Sequence, residues 1–148
     1  MTRRSFEGAT VLVTGAGGGL GRALALRFAT AGANIVALDK DADGIARLAA
    51  ELGERGKACL ALPCDVTDAG ACARAVAQAV ERFGSLDVLV NNAGMSHRSG
   101  FAVTGLDVIR RVMDVNFFGA VNCTKAALPH LVERRGLVVV ISSVAGYT

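Results

Sequence analysis

Thr14-Gly15-Ala16-Gly17-Gly18-Gly19-Leu20-Gly21 is a glycine-rich run set between two apolar segments. Before it, Ala9-Thr10-Val11-Leu12-Val13 reads as a strand, and after it Leu20 to Ala29 carries a helical apolar pattern. A glycine turn joining a strand to a helix lets the backbone come close to a ligand and aims unpaired helix N–H groups at it. Those groups and the helix dipole favour a phosphate or pyrophosphate, so the run predicts a nucleotide site. The pattern G-x-G-x-x-G would put its third glycine at Leu20 or Arg22 and does not fit. The P-loop fails as well, because no Gly-Lys-Ser/Thr closes the run. What fits is Thr-Gly-x-x-x-Gly-x-Gly, on Thr14, Gly15, Gly19 and Gly21, with Gly17, Gly18 and Leu20 inside the turn.

Asp39 strengthens that reading. It closes a second apolar run, Asn34-Ile35-Val36-Ala37-Leu38, and lies 20 residues after Gly19, close to the spacing at which an acid meets an adenosine ribose. Without the glycine run it would equally fit a solvated strand end or a helix N-cap before Ala42.

The rest of the chain alternates strand and helix. Strands are predicted at 9–14, 34–39, 57–63, 87–91 and 137–141. Helices are predicted at 20–31, 42–53, 68–83 and 106–131, with a loop from Ala93 to Gly100. Ile45, Leu48, Ala49 and Leu52 give the second helix its apolar face; Ala73, Val76, Ala77 and Val80 give the third its own. Pro129 should kink the long helix or end it early, by removing a backbone donor. Short, continuously apolar strands separated by helices imply a parallel sheet covered on both faces.

Composition narrows the class. At 148 residues this is one domain's worth of chain, and 52% of its residues are hydrophobic. The net charge of +3 is scattered, with no basic stripe, one Tyr and no Trp, so nucleic acid is not an expected partner. No run approaches the ~18 apolar residues of a membrane span. Cys59, Cys64, Cys72 and Cys123 form neither C-x-x-C nor a metal-ligand cluster, so no metal is expected. They read as reduced, mostly buried thiols of a cytoplasmic protein. Thr2-Arg3-Arg4-Ser5-Phe6 looks like a twin-arginine export start. Glu7, Gly8 and the glycine run interrupt the apolar stretch such a signal requires, which argues against export.

Five patches, in order, resemble the short-chain dehydrogenase/reductase family. They are the glycine motif from Thr14 to Gly21; Cys64-Asp65-Val66-Thr67, similar to the family's Asp-Val segment beside the adenine; Asn91-Asn92-Ala93-Gly94; Val115-Asn116 in the long helix; and Ile141-Ser142-Ser143. Singly, each has a plainer reading. Asn91 and Asn92 suit a turn, Asn116 a polar helix position, and Ser142 and Ser143 a helix N-cap. Val115, Phe117 and Phe118 suggest an interior stretch, where Asn116 would need hydrogen-bond partners. His97 and Arg98 read as solvated loop residues or as cleft lining, and His130 as a helix-end residue.

The resemblance implies an α/β, Rossmann-like, doubly wound parallel sheet of strand order 3-2-1-4-5, incomplete on its C-terminal side. It implies an NAD(P)-dependent oxidoreductase that moves a hydride between nicotinamide and a carbonyl or alcohol. Cofactor binding would fall to Thr14, Gly15, Gly17, Gly18, Gly19, Leu20, Gly21, Asp39, Asp65, Val66, Asn92, Ala93 and Gly94. Ser143 would orient the substrate oxygen, and Asn116 would support a proton-relay water. Asp39 favours NAD over NADP by repelling a 2′-phosphate, a preference that Lys40 weakens. The partners implied are a small alcohol or carbonyl substrate and, in the complete protein, further copies of the same chain.

The family's acid/base pair, a Tyr with a Lys four residues later, is not found. No Tyr-x-x-x-Lys occurs in the sequence, and its lysines are Lys40, Lys57 and Lys125. A phenol with pKa near ~10 needs a nearby cation to act as a base at neutral pH. Tyr147 is tempting as that phenol, but it lies four residues after Ser143 in the strand-to-helix connection and is not expected to fill the role. Residues 1–148 are therefore expected to be the dinucleotide-binding portion, roughly the first 60% of the family fold, and inactive alone; a non-catalytic dinucleotide-binding module or an interaction fragment is the alternative reading. Leu137-Val138-Val139-Val140-Ile141 supports this expectation, because it is apolar on both faces, as a central strand should be.

Overall fold

Apolar residues on consecutive positions of each strand supply both faces of a sheet, and helices cover both. A computed structural model describes residues 5–143; Thr2, Arg3 and Arg4 of the export-like start and Tyr147 lie outside the described residues. Five strands, β1 (Thr10–Thr14), β2 (Asn34–Asp39), β3 (Cys59–Pro63), β4 (Val88–Asn91) and β5 (Leu137–Val140), form one parallel sheet. Their order is β3-β2-β1-β4-β5, as the resemblance implied. Between them run α1 (Gly19–Thr30), α2 (Ala42–Glu54), α3 (Ala69–Phe83), α4 (Leu106–Met113) and α5 (Gly119–Glu133).

Side chains alternate across the sheet. Val11, Val13, Ile35, Ala37, Val88 and Val90 pack on one face with Ala25 and Ala29 of α1 and Ile45, Leu48 and Leu52 of α2. Leu12, Val36, Leu38 and Leu89 pack on the other with Cys72, Val76 and Ala79 of α3 and Cys123, Ala127 and Leu131 of α5. Fully buried side chains such as Leu12, Ile35 and Leu48 each contribute roughly 1.5–3 kcal/mol. Asp41 caps α2 by accepting from the Gly44 N–H at 3.0 Å, and Asp68 caps α3 by accepting from Ala71 at 2.9 Å. Gly84, at φ +80°, ends α3.

Four expectations change. The buried face of α3 is Cys72, Ala75, Val76 and Ala79; Ala73 and Ala77 are exposed. With alanine at so many positions of α3, periodicity fixes the helix but not its rotation. The predicted helix 106–131 is two α-helices joined by a π-helical turn, Asp114–Phe118, which inserts an extra residue into the ladder. Of the two outcomes expected at Pro129, a kink or an early end, the early end does not occur: the helix continues to Glu133. Pro129 sits on the exposed side, and so does Lys125, whose carbonyl it leaves for water, while Ala127 and Leu131 hold the helix to the sheet. Finally, the stretch around Asn116 is not interior, since Phe117 and Phe118 are each about half exposed.

Candidate cofactor site

The glycine run leaves β1 at the point where the strand order reverses, the place where open α/β sheets bind ligands. Thr14 is a buried hub there. Its Oγ1 accepts from the Asn92 N–H at 3.0 Å and the Ala93 N–H at 2.9 Å, and donates to the Val90 carbonyl at 3.3 Å. Asn92 Nδ2 in turn donates to the carbonyls of Thr14 at 2.9 Å and Gly15 at 3.2 Å. Thr14 and Asn92 therefore brace the turn from behind. Gly15 has φ +67°, and a Cβ on it would lie 2.9 Å from Asn92 Nδ2. A Cβ on Gly21 would collide with the Gly15 carbonyl oxygen.

The turn ends in an open helix terminus. α2 and α3 carry Asp caps, but Gly18 gives α1 no side-chain cap, so the first N–H groups of α1 keep their capacity for an anion. Gly15, Gly18, Leu20 and Gly21 line a cleft of about 760 Å³ in front of it. Gly17 and Gly19 lie in the turn but not on the cleft wall.

Asp39, at the end of β2, faces the same cleft. Its Oδ2 accepts from the Gly17 N–H at 2.8 Å and its Oδ1 from the Asp41 N–H at 2.9 Å. The α2 cap is Asp41, so the capping alternative for Asp39 falls away. Lys40 lines the cleft next to it.

The wall beyond is Cys64–Thr67, between β3 and α3. Asp65 Oδ1 accepts from the Thr67 N–H at 2.9 Å and the Thr67 hydroxyl at 2.8 Å. Those two donors, with Lys40 adding to them, hold the Asp65 carboxyl below the usual carboxylate range against the effect of burial. Val66 is packed over Gly119 of α5. Behind the wall, Cys72 Sγ lies 3.5 Å from Cys123 Sγ and 3.5 Å from the Val66 carbonyl. The contact with Cys123 and burial push the Cys72 thiol up to about 12; its bond to Cys72 and burial push Cys64 up as well. All four cysteines are free; Cys123 is buried with Cys64 and Cys72, and the latter two are thiols with little nucleophilic character.

Opposite, Asn92, Ala93, Gly94 and Met95 follow β4 along the cleft. Asn91 is buried and its Nδ2 donates to Thr124 Oγ1 at 3.0 Å, so it serves the fold. Asn116 lies behind Gly94 and Met95: Oδ1 accepts from the Met95 N–H at 2.8 Å and Nδ2 donates to the Met95 carbonyl at 2.9 Å. Ser143 is exposed just past β5, and neither it nor Asn116 forms the cleft wall. His97 and Arg98 are exposed loop residues away from that wall, and His130 lies in the last turn of α5.

Sequence reasoning missed Met95, Arg111 and Asp114 on the cleft wall; Thr67 and Val115, which stood in the family-like patches without a role of their own, line it as well. It also missed Asn122, whose Nδ2 donates to the Val66 carbonyl at 3.0 Å. A signal for Asn122 existed. It stands three residues after Gly119 and one before Cys123, a polar residue on the helix's packed side.

Together these groups suit a ligand with a pyrophosphate for the α1 terminus and hydroxyls for Asp39. Among the described residues no group of His, Cys, Asp and Glu is arranged to hold a metal ion, and no helix is long and apolar enough to cross a membrane.

Known proteins carry the same framework. The family model described as short chain dehydrogenase matches residues 9–148. The rat dehydrogenase/reductase SDR family member 7B is 42% identical over 95% of this chain and 46% of its own length. The oxidoreductase UcpA of Salmonella typhimurium is 43% identical over 95% of this chain and 54% of its own. A 7α-hydroxysteroid dehydrogenase solved with NADH and 7-oxo glycochenodeoxycholic acid superposes with a TM-score of 0.92 at 30% identity, over 97% of this chain and 56% of that one. The chain thus spans about half the length of the relatives it matches. On the motifs, the sheet order and these matches, the chain belongs to the short-chain dehydrogenase family.

Proposed function

We propose that this chain forms the dinucleotide-binding part of an NAD(P)-dependent oxidoreductase that interconverts a small carbonyl compound and its alcohol. The observation that carries this reading is the placement of Asp39, uncapped α1 and Cys64–Thr67 around one cleft. The first N–H groups of α1 hold the pyrophosphate. Asp39 accepts from the adenosine ribose hydroxyls, and Asp65, Val66, Ala93 and Gly94 line the adenosine side. Gly17 and Gly19 shape the turn, and Thr14 and Asn92 hold its shape. The bound nicotinamide supplies or takes the hydride. Asn116 anchors the loop after β4 and supports a proton-relay water, and Ser143 orients the substrate oxygen.

The carboxylate of Asp39 opposes a 2′-phosphate, so NAD is the preferred cofactor and NADP the poorer one; Lys40 narrows the gap. Residues 1–148 contain no Tyr-x-x-x-Lys, so by themselves they hold a cofactor without an acid/base pair. The four free thiols support a reducing, cytoplasmic setting. The exposed apolar side of the long helix, with Phe117, Phe118 and Val121, supports a homo-oligomer.

Asp39→Ala in the complete enzyme tests the assignment. The substitution removes a charged acceptor worth about 1.5–3 kcal/mol to NAD. It also frees the Gly17 N–H and loosens the turn, so both dinucleotides weaken. The readout is therefore the ratio of the NADP and NAD dissociation constants, which is expected to move towards NADP. An unchanged ratio would confine Asp39 to the turn and remove the ribose from the reading.

A further inference from the structure

The Cys64–Thr67 wall leaves two N–H groups without a partner among the described residues, that of exposed Asp65 and that of buried Val66. The Cys64 N–H donates to the Asp39 carbonyl at 2.9 Å, the Asp68 N–H to the Asp65 carbonyl at 3.0 Å, and the Thr67 N–H to Asp65 Oδ1 at 2.9 Å. No peptide bond is cis, and a trans peptide points its C=O and N–H in opposite directions. With the Asp65 carbonyl turned into the start of α3, the Val66 N–H of the same peptide plane points away from that helix. Among the described residues it meets no acceptor, although Val66 is only 7% exposed and lies on the cleft wall. Buried N–H groups are almost always paired, so this one marks a place for a ligand acceptor.

The next peptide plane is held from a distant element. Asn122, on α5, points its Nδ2 at two successive carbonyls, Val66 at 3.0 Å and Thr67 at 3.4 Å. Beside it, a Cβ on Gly119 would come within 2.6 Å of Val66 Cγ2, so the helix and the wall are in close contact. Cys72 Sγ is the only other donor to the Val66 carbonyl among the described residues, at 3.5 Å.

We propose that Asn122 is a positioning residue that decides which base edge the cleft accepts. By bridging the Val66 and Thr67 carbonyls it holds the Val66 N–H towards the cleft, beside the Asp65 carboxylate. A donor next to an acceptor is the complement of a 6-aminopurine, which offers a ring-nitrogen acceptor next to an exocyclic amine. A 6-oxopurine has both reversed. This assignment rests on the dinucleotide reading of the cleft.

The test titrates the complete protein with NAD, with nicotinamide hypoxanthine dinucleotide and with nicotinamide mononucleotide, which has no purine. The unsubstituted protein is expected to prefer NAD over the hypoxanthine analogue by about tenfold or more, the effect of a mispaired buried donor. Asn122→Leu keeps the volume and removes the donor; it should shrink that preference several-fold and leave the mononucleotide affinity unchanged. Asn122→Ala, which leaves room for a water, makes the same comparison if the Leu variant does not fold. A preference kept in the variants, or an equal loss for all three ligands, would overturn the positioning role. An unsubstituted protein that binds neither dinucleotide would overturn the reading of the cleft itself, before any variant is compared.

Discussion

A methyl group added at Gly21 would strike the Gly15 carbonyl oxygen, whereas one added at Gly18 would meet no protein atom within 4 Å. The two glycines therefore serve different ends, which their spacing alone does not reveal. Gly21→Ala is expected to destabilise the protein by about 1–3 kcal/mol, since overpacking outweighs the better helix propensity of alanine. Gly18→Ala is expected to change stability by less than about 1 kcal/mol, the N-cap difference, while weakening dinucleotide binding at the cleft wall. Denaturant titration beside ligand titration separates these outcomes; equal stability losses in the two variants would refute the division. The same limit runs through the other site residues. Composition and spacing pick out Thr14, Asp39 and Asn92 as unusual, because each interrupts an apolar pattern. They do not say that Thr14 and Asn92 grip each other, since that contact joins positions 78 residues apart.

At the scale of elements, Asp87 joins three of them just before β4. It accepts from the Thr10 N–H of β1 at 2.9 Å, from the Ser85 hydroxyl at 2.9 Å and from Arg134 Nε, at the end of α5, at 2.9 Å. Burial works against its ionisation, but the Thr10 N–H, the Arg134 guanidinium and the Ser85 hydroxyl outweigh it and hold the carboxyl below the usual range. A carboxyl with a depressed folded-state pKa stabilises fully above its unfolded value of about 3.9 and loses that stability as pH falls through the folded value. Unfolding free energy should therefore drop in acid more steeply for the unsubstituted protein than for Asp87→Asn. At pH 7 the variant should be less stable by about 1–3 kcal/mol. Parallel stability–pH curves for the two proteins would deny the clamp any role. No sequence pattern announced this clamp, whereas the strands were legible to within two residues at each end, because short apolar runs bounded by glycine leave little choice of register. The π turn was not legible for a different reason. Asp114-Val115-Asn116-Phe117-Phe118 carries no breaker, and the turn shows itself only where Asn116 meets the Met95 backbone.

Across the whole molecule, the apolar surface is uneven. Phe117, Phe118, Val121, Leu128 and Val132 are exposed along the long helix, and Val138 and Val140 along β5 at the sheet edge. Monomeric domains rarely leave apolar patches of more than a few hundred Å² in water. Residues 1–148 on their own are expected to self-associate and to show no turnover with NAD and secondary alcohols. A concentration-independent mass near 15.2 kDa by light scattering, with cooperative unfolding, would refute the first expectation. Turnover of about 1 s⁻¹ would refute the second. Against that open side, the cleft end of the sheet is closed up tightly. The Thr14 hydroxyl holds two consecutive amides and a carbonyl of the neighbouring strand segment, so the crease between β1 and β4 behaves as a rivet and not as a hinge. A ligand entering there cannot splay the two strands. Any give must come from the peripheral walls, so the depth of the groove is set by the scaffold and only its width is adjustable.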